Sequence, residues 1–133
     1  MIQLQDADEK WPRQLLDWAL PKAETQILET KRVAGKMVSR AMEAICAFAN
    51  TRSGWLLLGV EDAKRASGRD RLFGIGENPE AVDELLRKLE THFQPVIKGT
   101  QGFRLHTKLR DGTAGVVVAL YVPASDKVHN HPW

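Results

Sequence analysis

A chain of 133 residues, 43% of them hydrophobic, is long enough for one domain with its own core and too short for two ordinary ones. A formal charge of +2 and a pI near 8.8 permit a polyanionic partner without demanding one. The single cysteine, Cys46, excludes an internal disulfide, and no signal-peptide pattern or apolar run of about 18 residues is present, so a cytoplasmic protein with no membrane partner is expected.

In chain order, residues 1–10 are polar and acidic and read as an arm leading into the first helix. Pro12 suits a first helical turn, Leu15, Leu16, Trp18 and Ala19 supply an apolar face, and Leu20-Pro21 stops the helix. Trp11 and Trp18 are explained as anchors on a core. Alternation predicts a strand over Thr25–Arg32, with Ile27, Glu29 and Lys31 on one face and Leu28 and Thr30 on the other. Ala34-Gly35 breaks it. From Lys36, the spacing of Val38, Ala41, Met42, Ile45, Phe48 and Ala49 predicts a helix with one broad apolar stripe. Cys46 lies within that pattern and reads as a small buried hydrophobe.

Asn50 to Gly54 form a polar turn in which Gly54 is expected to supply a positive φ, and Trp55–Val60 follow as a central strand because Leu56-Leu57-Leu58 is apolar on both faces. Glu61 and Asp62 lie at its exit. The polar stretch 63–71 reads as an exposed loop, Leu72 to Ile75 as a short strand, and Asn78-Pro79 as the capped start of a helix that buries Val82, Leu85, Leu86, Leu89 and Phe93 and ends at Gln94-Pro95. Val96-Ile97 is extended. Phe103–Leu109 alternates apolar residues against Arg104, His106 and Lys108, Asp111-Gly112 predicts a hairpin, and Val116–Val122 returns as an interior strand. His129 and His131 carry only a weak metal signal.

Two constellations carry chemistry. Lys31, Arg32, Lys36 and Arg40 gather where a strand turns into a helix, an arrangement suited to phosphates because helix N-terminal amides add to side-chain charge. Lys64, Arg65, Arg69 and Arg71 in the following loop extend the positive charge. The alternative for both is a solvated surface. Carboxylates just beyond a central strand suit metal binding or general-base work, although Asp62 is also an ordinary turn residue.

Glu24 with Glu29 and Lys31, the run Ala47-Phe48-Ala49-Asn50-Thr51, Gly54, Leu58-Gly59-Val60-Glu61-Asp62, Gly74-Ile75 and Val122-Pro123-Ala124-Ser125 together resemble the Schlafen-type AlbA-like domain, often described as DNA-binding. The resemblance spans residues 22–129, leaving 1–21 as an arm and short helix and 130–133 as a tail. It implies an α/β (α+β) two-layer sandwich, a mixed sheet packed by two to three helices. Such domains commonly form the N-terminal part of bacterial regulators or helicase-like ATPases, so the chain also reads as a domain cut from a larger multidomain protein. In vertebrate Schlafens the domain supports cleavage of transfer and ribosomal RNA by three carboxylates, which match Glu24, Glu29 and Asp62. Two lobes surround the RNA there, so a cleaving cleft built from this chain is expected to need a homodimer. The chain departs from the family in having Thr30 where Glu-Phe-Lys is usual and Ser53 where Gly-Gly is usual.

Three readings follow. The preferred one is a nucleic-acid-binding module for DNA or RNA, of the transcription-regulator type, contacting phosphates through Lys31, Arg32, Lys36, Arg40 and the loop cations without chemistry. The second is an endoribonuclease in which Glu24, Glu29 and Asp62 hold Mg²⁺ or Mn²⁺; no other cofactor is implied. The third is an interaction or dimerisation domain.

Overall fold

The computed structural model describes residues 2–7, 10–93 and 97–125. Five strands form one mixed sheet: β1 (Leu4–Asp6), β2 (Leu28–Lys31), β3 (Gly54–Leu58), β4 (Gln101–Lys108) and β5 (Ala114–Val122), in the order β1-β4-β5-β3-β2. Three helices accompany them, α1 (Trp11–Ala19), α2 (Met37–Asn50) and α3 (Pro79–Lys88). The fold is therefore the expected α/β (α+β) class, with α2 and α3 as the second layer of a two-layer sandwich. Among the described residues no helix is long and apolar enough to cross a membrane.

Strand pairing follows from the connections. β2 and β3 run parallel, which requires a crossover, and α2 is that crossover. β4 and β5 are antiparallel and joined by the Asp111-Gly112 turn, where Gly112 has φ 85° and Asp111 Oδ1 accepts from Thr113 N at 3.0 Å. β3 and β5 pair antiparallel at the sheet centre, so both strands expected inside are inside.

Period-two alternation then sorts the core. Leu56, Leu58, Val118, Leu120 and Val122 face Ala41, Met42, Ile45 and Phe48 of α2 and Val82, Leu85 and Leu86 of α3. Leu28, Leu57, Leu105, Val117 and Ala119 face Leu15, Leu16 and Ala19 of α1 on the opposite side. Each such aliphatic side chain contributes about 1.5–3 kcal/mol by leaving water, and truncating Phe48 to alanine is expected to cost about 3–5 kcal/mol. Trp11 reinforces the α1 side, edge-on to Phe103 at 4.9 Å and tilted to Trp55 at 5.9 Å. Trp18, expected as a second anchor, is instead among the exposed large hydrophobics, with the Lys22 ammonium 5.3 Å from its ring centre. Cys46 is buried as expected, and burial pushes its thiol pKa up.

Several boundaries differ from expectation, each for a local reason. Residues 4–6 of the polar arm form an edge strand because β4 offers a parallel partner, with Leu4 opposite Gly102. The second strand starts at Leu28, three residues late. Thr25 and Leu28 close a tight turn through Thr25 N to Leu28 O at 2.9 Å, leaving Ile27 42% exposed. The positive φ of the α2–β3 turn falls on Ser53, at 69°, and not on Gly54. Gly54 is required instead by space, because a Cβ there would enter the Phe48 ring. Leu72 makes only an isolated bridge to Val60, between 3-10 turns at Gly68–Arg71 and Ile75–Glu77. α3 begins as expected, with Asn78 Oδ1 accepting from Ala81 N at 3.3 Å and Pro79 in the first turn. It closes at Lys88; the expected stop at Gln94-Pro95, the start of the 96–97 segment, and His129 and His131 lie outside the described residues.

Candidate nucleic-acid interface

The site lies at the end of the sheet where β2 leads into α2 and the chain leaves β3. β2 delivers Glu29 and Lys31 to the α2 side, as period two requires, while Leu28 and Thr30 are buried on the other. Gly35, at φ 61°, turns the chain so that α2 starts at Met37. Lys36 stands at the N-cap with no side-chain cap, and no acidic residue occupies the first turn. The free amides of that turn, Lys36 and Arg40 thus add their positive potentials at one place.

The Thr25–Leu28 turn brings Glu24 back beside the strand. Lys31 Nζ then bridges two carboxylates, Glu24 at 3.5 Å and Glu29 at 3.2 Å. Burial pushes the Glu29 pKa up, the neighbouring Glu24 carboxyl pushes it further, and Lys31 only partly opposes this. Glu29 Oε2 is buried with no hydrogen-bond partner among the described residues, and its contact is the ion pair to Lys31.

Arg32 is committed elsewhere. Its guanidinium donates to both Glu77 oxygens, at 2.7 to 3.2 Å, reaches Glu61 Oε2 at 3.2 Å, and lies 3.7 Å from the Phe73 ring centre. These carboxylates, Glu77 first, raise its pKa further above the ordinary arginine range. Asp62 organises its own loop, Oδ1 accepting from Lys64 N at 2.9 Å and the carbonyl from Arg65 N at 3.0 Å.

Arg71 corrects one expectation outright. It was expected on an exposed loop, yet its accessibility is 0%. Nε donates to the Glu61 carbonyl at 2.8 Å, Nη1 to those of Leu20 at 2.5 Å and Lys22 at 3.0 Å, and Nη2 to Thr30 Oγ1 at 3.2 Å. A guanidinium so enclosed cannot meet a phosphate. Burial lowers its pKa, which Asp62, Glu24 and Glu61 partly restore, and an arginine stays charged throughout. Thr30 is the hydroxyl partner of this arginine.

Two adjoining clefts result. One of about 410 Å³ is lined by Glu24, Lys31, Arg32, Lys36, Arg40, Glu61, Asp62 and Arg65 among others; the second, of about 670 Å³, by Glu29, Lys31, Lys36, Arg40 and Glu43. Glu24 and Asp62 therefore share a cleft, and Glu29 lines the neighbouring one across Lys31. Among the described residues no three Asp, Glu, His or Cys side chains come together as a metal-holding group. Lys31 supplies the countercharge to two of the three carboxylates, Glu24 and Glu29. In the smaller cleft five cations face three carboxylates, leaving it net positive. Lys31 and Arg32 are ion-paired there, whereas Lys36, Arg40 and Arg65 make no ion pair among the described residues. Lys64 is exposed beside them, and Arg69 donates to the Lys108 carbonyl at 3.2 Å.

The profile of the Schlafen, AlbA_2 family matches residues 24–132. The chain belongs to that family. Among solved structures, the N-terminal domain of a RecG-related protein from Nitrosomonas europaea, determined by solution NMR, is similar at 24% identity and a TM-score of 0.58, over 86% of this chain and 74% of that one. No curated protein matches. Within this Schlafen AlbA_2 chain, sequence reasoning missed Glu77 and Phe73 as partners of Arg32, because the contacts join residues more than 40 positions apart and neither residue stands in a charged or aromatic pattern.

Proposed function

We propose that this Schlafen AlbA_2 domain binds nucleic acid through backbone phosphates, at the cleft where β2 meets α2. The observation that supports this most is the set of cations left over: Lys36, Arg40 and Arg65 line one net-positive cleft beside an uncapped helix N-terminus, with no ion-pair partner among the described residues. Phosphate oxygens supply what that set lacks, acceptors for both side-chain and amide donors. Lys31 and Arg32, already paired, shape the wall, and exposed Lys64 adjoins Arg65 in the chain. Contacts of this kind recognise the backbone and not the base, so DNA and RNA are both accepted. The reading carries with it a cytoplasmic setting and a place for residues 22–129 as one module of a larger protein.

The test is titration of labelled duplex and single-stranded oligonucleotides at several salt concentrations. Affinity should fall steeply with salt, and Lys36→Ala/Arg40→Ala/Arg65→Ala together should flatten the log–log slope by about two to three units. Unchanged affinity in that variant would favour an interaction or dimerisation domain.

A second reading, cleavage of structured RNA, is favoured by Glu24 and Asp62 sharing that cleft with the cations. It is checked by incubating transfer RNA with the protein and Mg²⁺ or Mn²⁺, beside Glu29→Gln and Asp62→Asn. Metal-dependent cleavage lost in both variants would replace the binding-only reading.

A further inference from the structure

The cleft is not the only exposed cationic surface, and the two are joined by one ring. Phe73 carries two guanidinium groups, Arg32 at 3.7 Å and Arg110 at 4.4 Å from its centre. Both guanidiniums lie within cation–π range of the one ring, which places them side by side in the fold. Arg32 lines the cleft; Arg110 belongs to the end of the β4–β5 hairpin, which is held to the core by Arg110 N donating to Leu72 O at 2.9 Å. Arg69 Nη1 donates to the Lys108 carbonyl at 3.2 Å, fixing the Gly68–Arg71 turn against the same hairpin.

The charges differ in how they are spent. Arg32 is neutralised by Glu61 and Glu77. Arg69, Lys108 and Arg110 are exposed, and among the described residues none of them makes an ion pair. Of the nearby acids, Asp111 is turned into its own hairpin, accepting from Thr113 N at 3.0 Å and Thr113 Oγ1 at 2.6 Å, while Asp70 remains exposed. Upstream on β4 the pattern reverses, since Arg104 and His106 both contact Asp6 at 2.9 Å. The basic face of β4 is thus masked at one end and open at the hairpin.

We infer that Arg69, Lys108 and Arg110 form a second phosphate-contacting surface, so that a nucleic-acid strand seated in the cleft continues past the Arg32–Phe73–Arg110 cluster onto the hairpin. This rests on the binding reading above. The partner it implies is a backbone long enough to occupy both surfaces, and shorter strands should be held by the cleft alone.

The experiment is fluorescence anisotropy at low salt with a length series of labelled single strands and duplexes. Three proteins are compared: the unaltered chain, Lys108→Ala/Arg110→Ala, and the triple cleft variant. The hairpin variant should bind the longest oligonucleotides on the order of tenfold more weakly, with a salt slope lower by about two units, and bind the shortest ones unchanged. Full affinity and slope of the hairpin variant on long strands, while the cleft variant loses both, would overturn the extension and leave the binding reading intact. Equal loss at every length would also overturn it, by placing the hairpin inside the minimal footprint. No binding by the unaltered chain would remove both. Circular dichroism of the variants separates lost contacts from lost fold.

Discussion

Arg69 and Arg71 are two positions apart in one basic loop and end in opposite environments. Arg69 is exposed and donates to a single carbonyl; Arg71 is sealed in and donates to several. The difference lies in the acceptors within reach. α1 stops at Ala19 before Leu20-Pro21, and the carbonyls of its last turn and of Lys22 need donors on a side that the sheet closes to water. Arg71 supplies them and joins the end of α1, strand β2 through Thr30, and the exit of β3 through Glu61. The guanidinium therefore sets where the segments bearing Glu24 and Asp62 sit, without facing the cleft itself.

Replacing these residues sharpens the contrast. Arg71→Leu should destabilise the fold by about 3 kcal/mol or more, because several buried carbonyls lose their donors together; urea unfolding measures it. Arg71→Lys should recover only part, since an ammonium cannot span the same fork. A loss below about 1 kcal/mol for Arg71→Leu would break the comparison. Next comes Glu29→Gln, expected to stabilise the fold at neutral pH relative to acid pH. The sign follows from linkage: the folded state holds the Glu29 proton more tightly than the ordinary carboxyl, whose pKa is 4.5, so stability falls as pH rises through the raised value. The advantage of the variant should vanish below pH 4.5, which unfolding curves at acid and neutral pH will show.

Asp6 titrates with the opposite sign. Hydrogen bonds from Arg104 and His106 lower its pKa from 3.8 to about 2, so its support for β1 is complete above 3.8 and lost as pH falls toward 2. The amide protection of residues 4–6, relative to intrinsic exchange, should fall over that range ahead of that of β5. The smallest effect belongs to Arg69→Ala, expected within about 0.5 kcal/mol of the parent and visible only in nucleic-acid affinity.

Much of this architecture was legible because periodicity records burial. The stripe of α2, the doubly apolar β3 and the Asp111-Gly112 turn each followed from spacing alone. β1 was not legible, because Leu4-Gln5-Asp6 has no strand character of its own and becomes a strand only when β4 lies beside it. The site divides the same way. The concentration of Lys36 and Arg40 at a strand-to-helix turn was readable from the chain, whereas the burial of Arg71 depends on carbonyls about 50 residues away. Likewise Glu24 could be placed beside Glu29 only through the Thr25–Leu28 turn, which a run of alternating residues conceals.

The parallel seating of β1 on β4 also predicts an order of assembly. Asp6 and Arg104 are 98 residues apart, so the first strand of the chain finds its partner only after nearly all the described chain exists. Closing so long a loop costs entropy that no local contact repays beforehand, while the β4–β5 hairpin needs only its own turn. β1 is therefore expected to zip last, onto a sheet already formed from β2 to β5. Pulse-labelled exchange during refolding should protect the β4–β5 amides first and residues 4–6 in the final phase, and a ribosome carrying this chain must release β4 before its earliest strand can dock.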